Sequence, residues 1–103
     1  MADPMKIRAT ARDGVVEVKI LMSHEMETGQ RKDSSGNVIP AHFIQHVTAT
    51  CNGKTVLSAQ WGPAISKNPY LAFKFKGGAP GQKVQVTWVD NKGDQRTDEA
   101  TIG

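Results

Sequence analysis

Apolar residues recur at every second position in several short segments of this 103-residue chain. The clearest segment covers residues 15–22, in which Val16, Val18, Ile20 and Met22 fall on one face. Because successive side chains of a β-strand point to opposite faces, this period of two predicts half-buried strands. No segment shows a convincing helical period. The sequence therefore predicts an all-β protein.

The same pattern, interrupted by turn-forming residues, predicts about seven strands. They are expected near residues 6–10, 15–22, 42–51, 54–61, 69–76, 83–90 and 95–102. Asn52-Gly53 is typical of a two-residue hairpin turn, since both residues readily adopt a positive φ. Short antiparallel strands at this spacing indicate an immunoglobulin-like sandwich of two sheets, formed as a single domain over residues 1–103. The residues expected between the sheets are Trp61, Phe73, Val86 and Trp88.

Charge and hydropathy narrow the class of protein. A net charge of +3 with mixed signs is too small for the concentrated basic surface of a nucleic-acid-binding domain, so we expect no nucleic-acid partner. The longest apolar run is too short to span a bilayer, and the N-terminus lacks the apolar core of a signal peptide. Cys51 is the sole cysteine, which excludes an internal disulfide.

The histidines and methionines invite a metal interpretation, which their spacing does not favour. His42 and His46 are four residues apart, about 13 Å along a strand and too far to share one ion. His24 lies between two methionines, but strand spacing separates the three side chains unless the chain bends there. A blue-copper order of ligands is also absent, because every His and Met precedes Cys51. We predict no metal and no cofactor.

Catalytic nucleophiles are equally unsupported. Cys51 shares the parity of Val47 and Ala49, which predicts a buried, inert thiol; the alternative is an exposed thiol at a strand end that pairs with another chain. No serine lies in a nucleophile-elbow motif, so we predict no catalytic residue. Two other functions stay open: a small redox or metal-binding sandwich that uses Cys51 or the His24/Met26 segment, and a sandwich that binds a small ligand or carbohydrate.

The segment from Met22 to Phe43 contains more apolar residues than a solvated loop needs. It combines turn formers with two methionines, a histidine and two apolar stretches. A long polar hairpin is the simpler interpretation, and a protein contact surface is the sharper one. On the second interpretation, the predicted partner-contacting residues are His24, Met26, Arg31 and Lys32.

Three blocks of sequence closely resemble the SoxZ family, and together they cover nearly the whole chain in order. The first block is His24–Asp33, followed by Gly36–Ala41 and Phe43-Ile44. The other two blocks are Trp61-Gly62 with Ile65–Tyr70, and Val84–Asp90 before Gly93. One small departure is Glu25, at a position where relatives carry proline or lysine.

The resemblance implies an immunoglobulin-type sandwich without catalytic residues, the small subunit of the SoxYZ carrier complex of bacterial sulfur oxidation. It implies SoxY as the partner, in a heterodimer or a larger assembly, and transient contacts with other Sox enzymes. SoxY bears sulfur intermediates on a cysteine in a glycine-rich C-terminal arm. Nothing here matches that arm, since the chain ends Ala100–Gly103 and Cys51 is flanked by Thr50 and Asn52. The resemblance also implies periplasmic residence, by co-export with a signal-bearing SoxY.

Overall fold

The computed structural model describes residues 3–103, and these residues form seven strands and no helix. The strands are β1 (Lys6–Arg12), β2 (Val15–Leu21), β3 (Ile44–Cys51), β4 (Lys54–Gln60), β5 (Tyr70–Lys76), β6 (Lys83–Asp90) and β7 (Gln95–Thr101). The all-β prediction is therefore confirmed, with boundaries close to those expected from the alternating pattern. No described element is a helix long and apolar enough to cross a bilayer.

The strands form two antiparallel sheets. One sheet has three strands in the order β1-β2-β5, and the other has four in the order β4-β3-β6-β7. The chain crosses between the sheets after β2, after β4 and after β5, as in an immunoglobulin-like sandwich. The β3–β4 turn has Asn52 at φ 52° and Gly53 at φ 77°, as the dipeptide predicted.

The core lies between the inner faces of the two sheets and follows the predicted period of two. The fully buried apolar side chains of β2 and β6 are the alternating Val16, Val18 and Ile20, and Val84, Val86 and Trp88. Removing this much apolar surface from water is the main force that holds a domain of this size together.

Trp61 and Phe73 differ from the expectation, because both are only half buried. They lie on the side of the sandwich where β4 and β5 are edge strands, and neither strand has a neighbour beyond it. On the opposite side, the chain end covers the edge of β1: Ala11 donates its N–H to Gly103, and Gly103 donates to Ala9. One side of the sandwich is thus closed, while the other is left open.

We call the uncovered side of the sandwich the open side. Its inward-facing residues are half buried and apolar, and three of the six are aromatic. The six residues are Leu57, Ala59, Trp61, Leu71, Phe73 and Phe75. The rings of Phe73 and Phe75 lie 6.3 Å apart, centre to centre. Within residues 3–103 no strand pairing joins β4 to β5, so both edges keep unpaired backbone groups.

Candidate functional site

The structure brings together three polar side chains at one end of the sandwich. The inward parity of β2 continues through Met22 to His24, after which the chain turns sharply. Met26 makes the turn with a φ of 51°, in the left-handed region that non-glycine residues rarely adopt. The returning chain then runs back alongside itself, and Glu27 and His42 exchange backbone hydrogen bonds.

Asp90, the last residue of β6, accepts hydrogen bonds from the imidazoles of His24 and His42. Its Oδ2 lies 3.0 Å from His24 Nε2 and 2.7 Å from His42 Nε2. Its Oδ1 accepts the backbone N–H groups of Lys92 at 3.0 Å and Asp94 at 2.9 Å. The Asp90 side chain is completely buried, so these four donors replace the water that it has lost. We call His24, His42 and Asp90 the His–Asp–His cluster.

Burial alone would raise the pKa of Asp90, but the hydrogen bonds from His24, His42 and the two amides outweigh it and lower the pKa. The carboxylate therefore stays ionised in the folded protein. The edge of the His24 ring also packs on Trp88, with the ring centres 5.0 Å apart and the planes at 89°. The cluster is consequently part of the packed core and fixes the chain bend to β6.

The donor pattern within the cluster does not suit a metal ion. Its three ligand-type atoms lie within 4.8 Å of one another. However, His24 Nδ1 accepts the backbone N–H of Met26 at 3.1 Å, so the ring carries its proton on Nε2, the atom that faces Asp90. A metal-bound histidine has the opposite pattern, in which one nitrogen binds the ion and the other donates its hydrogen. The absence of a metal stays a prediction, supported by this geometry.

Residues 27–42 form the predicted long hairpin, closed by bridges between Glu27 and His42 and between Lys32 and Val38. Asp33 shapes the tip, because its Oδ1 accepts the N–H groups of Ser35 and Asn37.

Arg31 forms a two-pronged ion pair with Glu27. The hydrogen bond from Arg31 lowers the pKa of Glu27, and the same bond raises the pKa of Arg31. The Arg31 side chain is still 65% exposed, and Lys32 is exposed as well.

The four predicted contact residues therefore lie in two different environments. His24 and Met26 are inside the domain, with 8% and 5% of their surface exposed, and the sulfur of Met26 accepts the backbone N–H of Ile44 at 3.3 Å. Neither offers a side chain to a partner in this conformation. Arg31 and Lys32 project from the hairpin that the buried pair holds in place. Contact of this segment with a partner stays a prediction.

Sequence reasoning missed Asp90 and the meeting of His24 with His42. The signal for Asp90 was present, because it continues the inward parity of Val84, Val86 and Trp88. A charged residue at the end of a buried parity requires a polar partner inside the protein. His24 ends the buried parity of β2 in the same way. Spacing was considered only for His42 with His46 and for His24 with its flanking methionines. The contact of His24 with His42 was not considered, and it depends on the bend at Met26.

Cys51 is buried, as its position in the alternating pattern of β3 predicted, with 5% of its surface exposed. The structure therefore favours a buried core thiol over an exposed thiol at a strand end. His46, the third histidine, lies on the outer side of β3 and is within 3.2 Å of the Ser58 hydroxyl, away from the cluster.

The fold and these features define a small immunoglobulin-like sandwich, with one open apolar side and a buried polar cluster that holds a long hairpin. Comparison with protein-family models matches residues 5–101 to SoxZ, described as sulphur oxidation protein SoxZ. The chain belongs to the SoxZ family, as the sequence resemblance indicated. A comparison with curated proteins gave no match.

Two solved structures share the fold at low sequence identity. Hypothetical protein PH1083 from Pyrococcus horikoshii OT3 matches with 16% identity and a TM-score of 0.63, over 99% of this chain and 89% of its own. A superoxide reductase (neelaredoxin) from Archaeoglobus fulgidus, in the reduced form, matches with 19% identity and a TM-score of 0.59, over 95% and 85%. At these identities the likeness shows the fold alone.

Proposed function

We propose that this protein is a non-catalytic subunit that pairs with SoxY, the carrier of covalently bound sulfur intermediates in thiosulfate and sulfur oxidation. The family match over residues 5–101 carries the proposal. The environment of the one cysteine supports it, because a carrier sulfur must visit several enzymes and therefore needs a mobile tether. Cys51 is instead a buried strand-end residue beside a tight turn.

The open side is the surface on which we place SoxY. It presents six half-buried apolar residues between two unpaired strand edges. Aromatic residues are enriched in the centres of protein interfaces, and a strand edge can accept a strand from a partner. A partner that covered this side would complete the burial of Trp61 and Phe73, which the isolated chain leaves half buried.

The hairpin of residues 27–42 is the second surface in the proposal. Its exposed Arg31 and Lys32 are available to orient transient encounters with SoxY or with other Sox enzymes. The His–Asp–His cluster supports this role indirectly, because it fixes the base of the hairpin to β6. We further propose that the complex is periplasmic and that this chain is exported together with a signal-bearing SoxY.

Co-expression with SoxY from the same organism tests the pairing. We expect the two chains to co-purify in equal amounts and to elute together in size-exclusion chromatography, even when only SoxY carries an affinity tag. Removing the signal peptide of SoxY should leave both chains in the cytoplasm, which tests co-export separately. Separate elution of the two folded proteins would contradict the pairing.

A further inference from the structure

The outer face of the three-stranded sheet carries an unusual concentration of positive charge. The strand register places twelve outward-facing residues in four cross-strand rows, and six of them are basic. The basic residues are Lys6, Arg8, Arg12, Lys19, Lys74 and Lys76. Glu17 is the single acidic residue among the twelve, and it is shared by Lys19 at 3.5 Å and Lys74 at 3.9 Å. We call this surface the basic face.

The charge is a property of this face and not of the whole chain. The chain has a net charge of +3, whereas the basic face carries five more positive than negative groups. The remaining residues therefore carry a small net negative charge. Among residues 3–103, Lys6, Arg8, Arg12 and Lys76 have no ion-pair partner.

The register also shows a local cost of this arrangement. Arg8 lies directly opposite Lys19 on the neighbouring strand, and like charges in this position destabilise a sheet. The other exposed lysines of β-strands include Lys83, which has an acidic neighbour in Glu99 at 3.3 Å. Lys19 shares the Glu17 carboxylate with Lys74, whereas Arg8 has no acidic partner among the described residues. An anionic group that lies over the Arg8–Lys19 pair would therefore relieve the repulsion.

The basic face has two adjoining grooves. The larger has a volume of about 550 Å³, and its cationic lining comprises Arg8, Arg12, Lys19 and Lys74. Asp13 and Glu17 also line this groove. A second groove of about 300 Å³ adjoins it at Arg8 and Lys19 and ends at an exposed apolar pair, Leu21 and Tyr70, which are cross-strand neighbours.

We propose that the basic face binds an extended acidic segment of a protein partner, rich in glutamate or aspartate and with an apolar residue for the Leu21–Tyr70 pair. Charge complementarity identifies the chemistry of the segment. A single-stranded nucleic acid suits the face less well, because such binders offer several aromatic rings for base stacking and this face has only Tyr70. The surface is separate from the open side, so the inference does not depend on pairing with SoxY.

Fluorescence anisotropy with the full chain tests the proposal. The probe is a labelled peptide of alternating glutamate and serine that ends in leucine, and the comparison probes are oligothymidine of equal charge and vesicles of phosphatidylglycerol and phosphatidylcholine. We expect the wild type to bind the peptide most tightly, with an affinity that falls as salt is added. The double variant Arg8→Glu/Lys19→Glu should weaken peptide binding at least about tenfold.

The matched control is Lys54→Glu/Lys83→Glu, which changes the net charge equally on the other sheet. It should weaken peptide binding by less than about threefold if the position of the charge matters. The Arg8/Lys19 variant keeps a like-charged cross-strand pair but loses the exposed Lys19–Glu17 ion pair, which is worth little in water, so its melting temperature should fall by only a few degrees. Equal losses in both double variants, or tighter binding of oligothymidine or vesicles than of the peptide, would overturn the proposal.

Discussion

Replacing Asp90 with alanine should lower the free energy of unfolding by about 3 kcal/mol, the largest stability effect that we expect from one polar residue. The change removes the acceptor for four hydrogen bonds at once: two imidazole N–H groups and two backbone N–H groups. The His24 donor stays buried without a partner, and its desolvation penalty is not recovered. Denaturant unfolding of wild type and variant measures the difference.

Asp94→Ala is the matched control, because Asp94 lies in the same turn but is exposed, and within residues 3–103 its side chain accepts only the N–H of Gln95. It should cost less than about 1 kcal/mol. The Asp90 effect should also depend on pH in a defined direction. Since folding lowers the pKa of Asp90, its contribution is fully present above the unfolded pKa, near 3.8, and is lost as the pH falls through the lower folded value. A difference that is small at neutral pH, or that grows on acidification, would contradict the role of the cluster.

Replacing Phe73 with alanine should weaken association with SoxY roughly 30-fold, the effect of losing one aromatic anchor worth about 2 kcal/mol. Phe73 is half buried on the open side in the isolated chain, so a partner that covers this side buries the rest of its ring. Surface plasmon resonance with immobilised SoxY measures the change. The variant should also be somewhat less stable alone, because part of the ring already packs on the core.

Tyr70→Ala is the control for this measurement. Tyr70 is an aromatic residue of the same strand, β5, but it is 61% exposed and belongs to the outer face of the sheet. We expect the affinity for SoxY to be unchanged in Tyr70→Ala. Loss of affinity in Tyr70→Ala with normal affinity in Phe73→Ala would place SoxY on the outer face of the sheet. That result would contradict the binding of SoxY to the open side.

The strands were predictable because they depend on local sequence. Each set of alternating apolar residues, such as Val16, Val18 and Ile20, can be recognised in the sequence without knowledge of any other strand. The Asn52-Gly53 turn likewise depends on two adjacent residues. The half-burial of Trp61 and Phe73 was not predictable in this way. It depends on sheet order, which leaves β4 and β5 as edges on the same side of the sandwich.

The His–Asp–His cluster was also predictable only in its local features and not in its long-range contacts. The inward parities of His24 and Asp90 could be read from the sequence, but their contact joins residues 66 positions apart. It also requires the left-handed backbone of Met26, for which methionine gives no signal. Met26 and His24 were recognised as unusual in a loop, and their environment gives the physical reason: they anchor the hairpin from inside the core.

Mass spectrometry of the complex tests most directly the claim that this chain supports sulfur oxidation by binding the carrier and not by carrying sulfur. The complex is isolated from cells oxidising thiosulfate, and the intact mass of each chain is measured without reductant. We predict sulfur adducts on SoxY and the unmodified mass for this chain, with the same adducts on SoxY when this chain carries Cys51→Ala. A sulfur adduct on this chain that disappears in Cys51→Ala would contradict the account.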